Sequence, residues 1–123
     1  MEAWVEALGS MEDEERLASL AYVAGQQVEI DEVELNEALR RALVVRAVGG
    51  NPQRELELGE EAVGRLAEEL DTAERREALV RALAALRSDV PGGPAAQTLD
   101  ALIADDALAW RCFAAALLAA ELA

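Results

Sequence analysis

The sequence contains no histidine and no lysine, since all 11 of its basic residues are arginines. Histidine is the commonest general base, the usual partner of serine and cysteine nucleophiles, and a frequent metal ligand. Lysine is required for Schiff-base chemistry and for the phosphate-binding loop of nucleotide-binding enzymes. We therefore expect that the chain is not an enzyme and holds no cofactor. Catalysis by carboxylates alone is the remaining alternative, and it would need two acids held together in a pocket.

Cysteine and long apolar runs are also scarce. Cys112 is the single cysteine, so no intrachain disulfide can form, which fits a reducing cytoplasm. The longest apolar run, residues 112–120, is too short to cross a bilayer. Residues 1–15 are acidic and lack the basic start of a secretory signal. We expect a cytoplasmic protein that does not insert into a membrane.

The 123 residues carry a net charge of −14. A field this negative repels nucleic-acid phosphates and anionic lipid surfaces, so we expect neither as a partner. Cations and basic protein surfaces are the partners that it would attract. The alternative is that acidity only keeps an alanine- and leucine-rich protein in solution.

The pattern of apolar residues predicts an all-α fold. Aromatic residues make up 3% of the chain, so leucine, alanine and valine must form the core. Apolar residues recur at helical spacing, and no segment alternates over the length of a strand. We expect one domain over residues 1–123, a compact bundle of six or seven helices built around two helix-loop-helix units.

Capping residues and glycines place the boundaries of seven predicted helices. Side chains that can cap a helix precede several of the apolar stripes. Other stripes are ended by Gly49-Gly50 and by the Pro91-Gly92-Gly93-Pro94 loop. The helices are predicted over residues 1–8, from a cap at Ser10 to about Ala24, from a cap at Asp31 to before Gly49, through Leu58–Leu70, from Asp71-Thr72 to Leu86, around Leu99–Ile103, and from Asp105 or Asp106 onward.

A helix-loop-helix pattern occurs twice, at about residues 20–34 and 82–103. The first copy reads Val23-Ala24-Gly25-Gln26-Gln27-Val28-Glu29-Ile30 and continues to Glu34. It resembles the Val-Ala-x-Ala-Asp-Gly-x-Ile-x-x-x-Glu pattern of the tellurite-resistance TerB-like family, with Val23, Ala24, Ile30 and Glu34 at matching positions. Gln27-Val28 stands where that family has Asp-Gly, and in the second copy Asp89 is followed by Val90. The resemblance covers residues 12–103, and an apolar C-terminal helix over residues 106–122 follows.

Membership of this family would imply a stress-response role linked to metal ions or tellurite, through partners that are associated with membranes. The acidic loops of the family have been suggested to bind a cation. Carboxylates suit Ca²⁺ or Mg²⁺ when several share one tight turn, so the weak candidate ligands for a divalent cation are Glu29, Asp31, Glu34 and Asp89. The alternative is that Asp31 caps the following helix while the glutamates favour its positive end.

The C-terminal helix is the best candidate for an interaction surface. Trp110, Phe113 and Leu117 belong to apolar residues that surround most of its circumference. Such a helix is usually central to a bundle, but one face could instead pack on a partner subunit. We therefore expect a non-catalytic interaction or stress-response module that binds a protein partner or itself. The alternative is a structural homodimer assembled through this helix.

Overall fold

The computed structural model of the chain describes residues 13–47 and 52–122. Over these ranges it has six helices and no strand, which confirms the all-α prediction. The first predicted helix, over residues 1–8, the predicted cap at Ser10 and the glycine pair after the third helix lie outside the described residues. The helices are α1 (Asp13–Gly25), α2 (Glu32–Ala47), α3 (Pro52–Leu70), α4 (Ala73–Asp89), α5 (Pro94–Ala104) and α6 (Asp106–Leu122).

Local side-chain caps fix where three of these helices begin. Asp31 Oδ1 accepts a hydrogen bond from the Val33 amide at 2.8 Å, ahead of α2. Thr72 Oγ1 accepts from the Arg75 amide at 3.2 Å, ahead of α4. Asp105 accepts from the Leu108 amide at 3.1 Å, ahead of α6. Each cap pairs an amide that the first turn of a helix leaves without a partner, so the predicted starts at these positions are confirmed.

Helix α6 lies at the centre of the bundle and contacts each of the other five helices. Its buried residues belong to a core made mainly of leucine and alanine. The α6 members of that core are Ala109, Trp110, Phe113, Ala114 and Leu118. Of the two alternatives for the C-terminal helix, this arrangement is the one in which the helix is central to the bundle. None of the helices that the structure describes is both long and apolar enough to span a membrane.

The two helix-loop-helix units pack differently. Helices α4 and α5 contact each other, whereas α1 and α2 do not. Helix α1 packs on α4, α5 and α6, and α2 packs on α3 and α6. The connection from α1 to α2 is held by the buried side chain of Val28, which packs into the core. The likeness of the two copies in sequence is therefore not matched by a like arrangement of their helices.

Candidate functional site

The structure places two of the four predicted metal ligands in structural roles. Asp31 Oδ1 caps α2 through the amides of Val33 and Glu34, at 2.8 and 3.4 Å. Both carboxylate oxygens of Glu34 accept hydrogen bonds from the Arg75 guanidinium, at 3.2 Å for Oε1 and 2.6 Å for Oε2. The cap at Asp31 is the alternative that the sequence already offered. Asp31 Oδ1 and both carboxylate oxygens of Glu34 thus have partners within the protein.

The other two predicted ligands, Glu29 and Asp89, are exposed and lie at different places in the fold. Glu29 is in the connection between α1 and α2, and Asp89 is the last residue of α4. Over the described part of the chain, no group of three or more acidic or cysteine side chains could hold a metal ion. The structure therefore does not gather the four candidates into one cluster. Cation binding stays a prediction from the sequence.

Arg75 joins three helices and was not singled out by the sequence. It belongs to the first turn of α4, its guanidinium pairs with Glu34 in the first turn of α2, and Nη1 also donates to the Leu70 carbonyl at 2.9 Å. Leu70 ends α3, where helix carbonyls lack an intrahelical partner. The short link through Asp71 and Thr72 brings Arg75 back beside that end. One side chain thereby ties the start of two helices to the end of a third.

The pairing changes how both groups titrate. The hydrogen bonds from Arg75 lower the pKa of Glu34 below its usual range, and the positive charge of the guanidinium adds to this effect. Partial desolvation of the carboxylate acts in the opposite direction and is outweighed by the hydrogen bonds. The same carboxylate raises the pKa of Arg75. The pair is therefore fully charged at neutral pH.

An open groove runs between α4 and the end of α1 with its following connection. It consists of two adjoining cavities of about 830 and 530 Å³ that share Gln27, Ala78 and Arg81 in their walls. We call it the α1–α4 groove. Its residues are Val23, Ala24, Gln27, Val28, Glu29, Thr72, Ala73, Glu74, Arg75, Ala78, Arg81, Ala82, Ala85, Leu86 and Asp89.

Small apolar side chains line one wall of this groove, and charged side chains surround them. Ala78, Ala82 and Ala85 are spaced four and three residues apart, so they form one stripe along α4. Glu29 lies on the opposite wall, and Asp89 lies at the end of α4. The alanine stripe is a signal that periodicity alone could have found. What the periodicity could not show is that α1 leaves this stripe partly uncovered.

The three predicted interface residues lie in or against the core. Trp110 and Phe113 are 2% and 3% exposed, with ring centroids 5.4 Å apart. Trp110 Nε1 donates to the Ala67 carbonyl of α3 at 2.8 Å. The surface role predicted for these two side chains does not fit their burial, because the other helices already cover them. Leu117 is half-buried and packs against the core.

The chain has no match among known proteins that would assign this groove. No protein-family model, curated protein or solved structure matches it. The resemblance to the TerB-like family therefore rests on the residues of its own motif. Of those residues, Val23 and Ala24 line the groove and Glu34 pairs with Arg75 beside it.

Proposed function

We propose that the chain is a non-catalytic helical interaction module that binds a partner protein in the α1–α4 groove. The observation that carries this proposal is the stripe of Ala78, Ala82 and Ala85 along an open groove with a charged rim. An amphipathic helix that lies in a groove needs apolar contact along its length and polar contacts at the edges. Small side chains let the backbones of two helices approach closely. The groove offers both features.

The charges of the groove favour a partner helix with basic flanks. Glu29, Glu74 and Asp89 are exposed around it, and one of its two arginines, Arg75, is already paired with Glu34. The net charge of −14 adds a long-range attraction for a basic surface and speeds its association. The partner is therefore a protein segment whose apolar face meets the alanines while lysines or arginines meet the acidic rim.

Two features support a non-catalytic role. The full sequence has no histidine or lysine, so the commonest bases and nucleophile-activating groups are missing. Catalysis by carboxylates requires acids held out of water so that their protonation can be tuned. Glu29, Glu74 and Asp89 instead lie exposed at the rim of the groove. This position suits contact with a partner better than proton transfer.

The resemblance to TerB-like proteins adds a proposed cellular role. Two residues of the motif, Val23 and Ala24, lie in the groove, so the motif and the proposed binding surface overlap. We place the module in a stress response to metal ions or tellurite on this basis. Direct cation binding receives less support, because Asp31 and Glu34 use their oxygens for a helix cap and for an ion pair.

A photo-crosslinking residue placed at Ala85 or at Ala84 tests the groove. Both positions are exposed on α4, but only Ala85 lines the groove, so Ala84 is a matched control. We expect a partner that crosslinks in cells from position 85 and not from position 84. Calorimetry with that purified partner should show binding weakened at least about tenfold by Ala85→Arg, through bulk and like charge, and unchanged by Ala84→Arg. Equal binding to both variants, or no crosslink from position 85, would contradict the proposal.

A further inference from the structure

Helix α2 exposes two large apolar side chains on its outer face. Val33 and Val44 are 68% and 65% exposed and are the large hydrophobic residues left exposed in the described chain. They are 11 residues apart, which is close to three full helical turns, so both point the same way. The buried residues Ala38, Leu39 and Ala42 lie on the opposite side of the helix. The two valines therefore mark a face that no other helix in the described part of the chain covers.

Two opposite charges lie between the valines on the same face. Glu37 and Arg40 are both exposed, and the series Val33, Glu37, Arg40, Val44 steps by four, three and four residues. This is the spacing of the seam along which two helices pack in a coiled coil. The flanking charges on this side are already engaged within the chain, since Glu34 pairs with Arg75 and Arg41 with Glu69. We call these four residues the α2 seam.

The α2 seam is complementary to itself when two copies run antiparallel. Reversing the helix about the point midway between Ala38 and Leu39 places Val33 opposite Val44, and Glu37 opposite Arg40. Each end of the contact then joins two valines, and the middle joins two pairs of opposite charge. A closed two-fold dimer requires a surface that matches its own reverse, and the order apolar, acidic, basic, apolar meets that requirement.

From this symmetry of charge and apolar position, we propose that the α2 seam is the interface of a homodimer of this chain. The seam has no net charge, in a molecule whose net charge is −14. Two strongly acidic copies repel each other over most of their surfaces, and a neutral, self-complementary seam is where they meet at least cost. An unrelated acidic or basic partner would meet one charge of the wrong sign.

The dimer is weak because its seam is short. Four contact positions span roughly 16 Å of helix, at about 1.5 Å of rise per residue, which places the interface at the small end of specific contacts. Association should therefore depend on protein concentration up to the millimolar range. The seam lies on α2 and the α1–α4 groove on α1 and α4, so this dimer does not depend on the proposed function of the groove.

Charge exchange across the seam provides the test. Glu37→Arg alone brings two basic side chains opposite each other at both central positions, and Arg40→Glu alone brings two acidic ones. We expect the wild type to dimerise in sedimentation equilibrium at high concentration and each single variant to dissociate at least about tenfold more readily. An equimolar mixture of the two single variants restores opposite charges in both pairs, so it should form a heterodimer. The double variant Glu37→Arg/Arg40→Glu should self-associate like the wild type.

A matched control is Glu60→Arg, the same change at an exposed position of α3, which should leave the dimer intact. Circular dichroism of every variant should show the helical content of the wild type, since both seam positions are exposed. The proposal is overturned by a wild type that stays monomeric at millimolar concentration. It is overturned equally by single variants that still dimerise, by a mixture that does not associate, or by a dimer that only Leu117→Glu disrupts.

Discussion

Gly25 shows how close packing around α6 constrains a single residue. It is the last residue of α1 and is buried, and a Cβ built on it would overlap the Phe113 ring of α6. Phe113 in turn packs on Trp110, whose indole Nε1 donates a hydrogen bond to the Ala67 carbonyl in the last turn of α3. Gly25, Phe113, Trp110 and the Ala67 carbonyl therefore form one series of contacts from α1 through α6 to α3. A residue without a Cβ is needed at the point where α1 meets this series.

Replacing Gly25 with alanine should therefore lower the free energy of unfolding by about 1–3 kcal/mol, because the added methyl group overpacks the core. Gly64, in the interior of α3, is the control, since nothing lies within 4 Å of a Cβ built there. Gly64→Ala should raise stability by up to about 1 kcal/mol, through the better helix propensity of alanine. Urea unfolding of the two variants measures both values. A Gly25→Ala protein as stable as the wild type would show that the Phe113 ring moves aside without cost.

Helix α4 is tied to its neighbours by arginines at both of its ends. Arg75 reaches α2 and the end of α3, and Arg76 pairs with Asp71 at 2.6 Å and approaches Asp106 of α6 at 3.8 Å. Arg87 pairs with Asp100 of α5 at 2.9 Å and donates to the Val90 carbonyl. These contacts orient α4 and so define one wall of the α1–α4 groove. They also make part of the stability dependent on the ionisation of carboxylates.

The Glu34–Arg75 pair should give a stability term that disappears in acid. Because the pKa of Glu34 is lower in the folded protein than in the unfolded chain, the unfolded chain binds its proton first as pH falls. The stabilisation is complete above the ordinary glutamate pKa of about 4.3 and is lost as pH falls through the lowered value. Glu34→Gln should therefore lower the Tm at pH 7 and converge with the wild type in stronger acid. Thermal unfolding of both proteins from neutral to acidic pH measures this, and a constant Tm difference would contradict the assignment.

Local features of the helices could be read from the sequence, and long-range partners could not. The caps at Asp31 and Asp105 act within three residues, so the order of side chains along the chain reveals them. Glu34 and Arg75 are 41 residues apart, and their pairing depends on how three helices are placed in space. The same limit explains why the predicted metal ligands do not form one cluster. Asp31 and Glu34 are close in sequence, but Asp31 caps α2 whereas Glu34 pairs with Arg75 of α4.

At the scale of the whole molecule, the position of α6 decides the architecture. Its apolar residues surround most of the helix. This pattern predicts that other parts of the protein cover α6, but it does not identify them. In the structure, the five other described helices cover α6, and Trp110 and Phe113 are therefore core residues. For the α1–α4 groove the sequence offers the alanine stripe on α4 but not its exposure. The exposure of the alanine stripe depends on where α1 ends beside α4, and the packing of the bundle determines this position.

Amide hydrogen exchange should follow this arrangement. Helix α6 touches every other described helix, so opening it breaks the whole core, and its central amides should exchange only through global unfolding. Helix α2 packs only on α3 and α6 among the described helices and reaches α4 through the Glu34–Arg75 ion pair, so its amides should exchange at a lower free energy. Native-state exchange in dilute protein, compared with the free energy of unfolding from urea, measures both. Helix α2 protected as strongly as α6 would contradict this ranking.

The central helix is also the last of the six to be synthesised. While a ribosome makes this chain, the first five described helices emerge before the central helix on which all of them pack. Until Trp110 and Phe113 leave the exit tunnel, the side chains of the earlier helices that pack on α6 stay open to water and to other nascent chains. The part of the core that α6 completes should therefore acquire its fixed side-chain packing late. A ribosome stalled before α6 should hold a helical but loosely packed chain of the kind that chaperones bind.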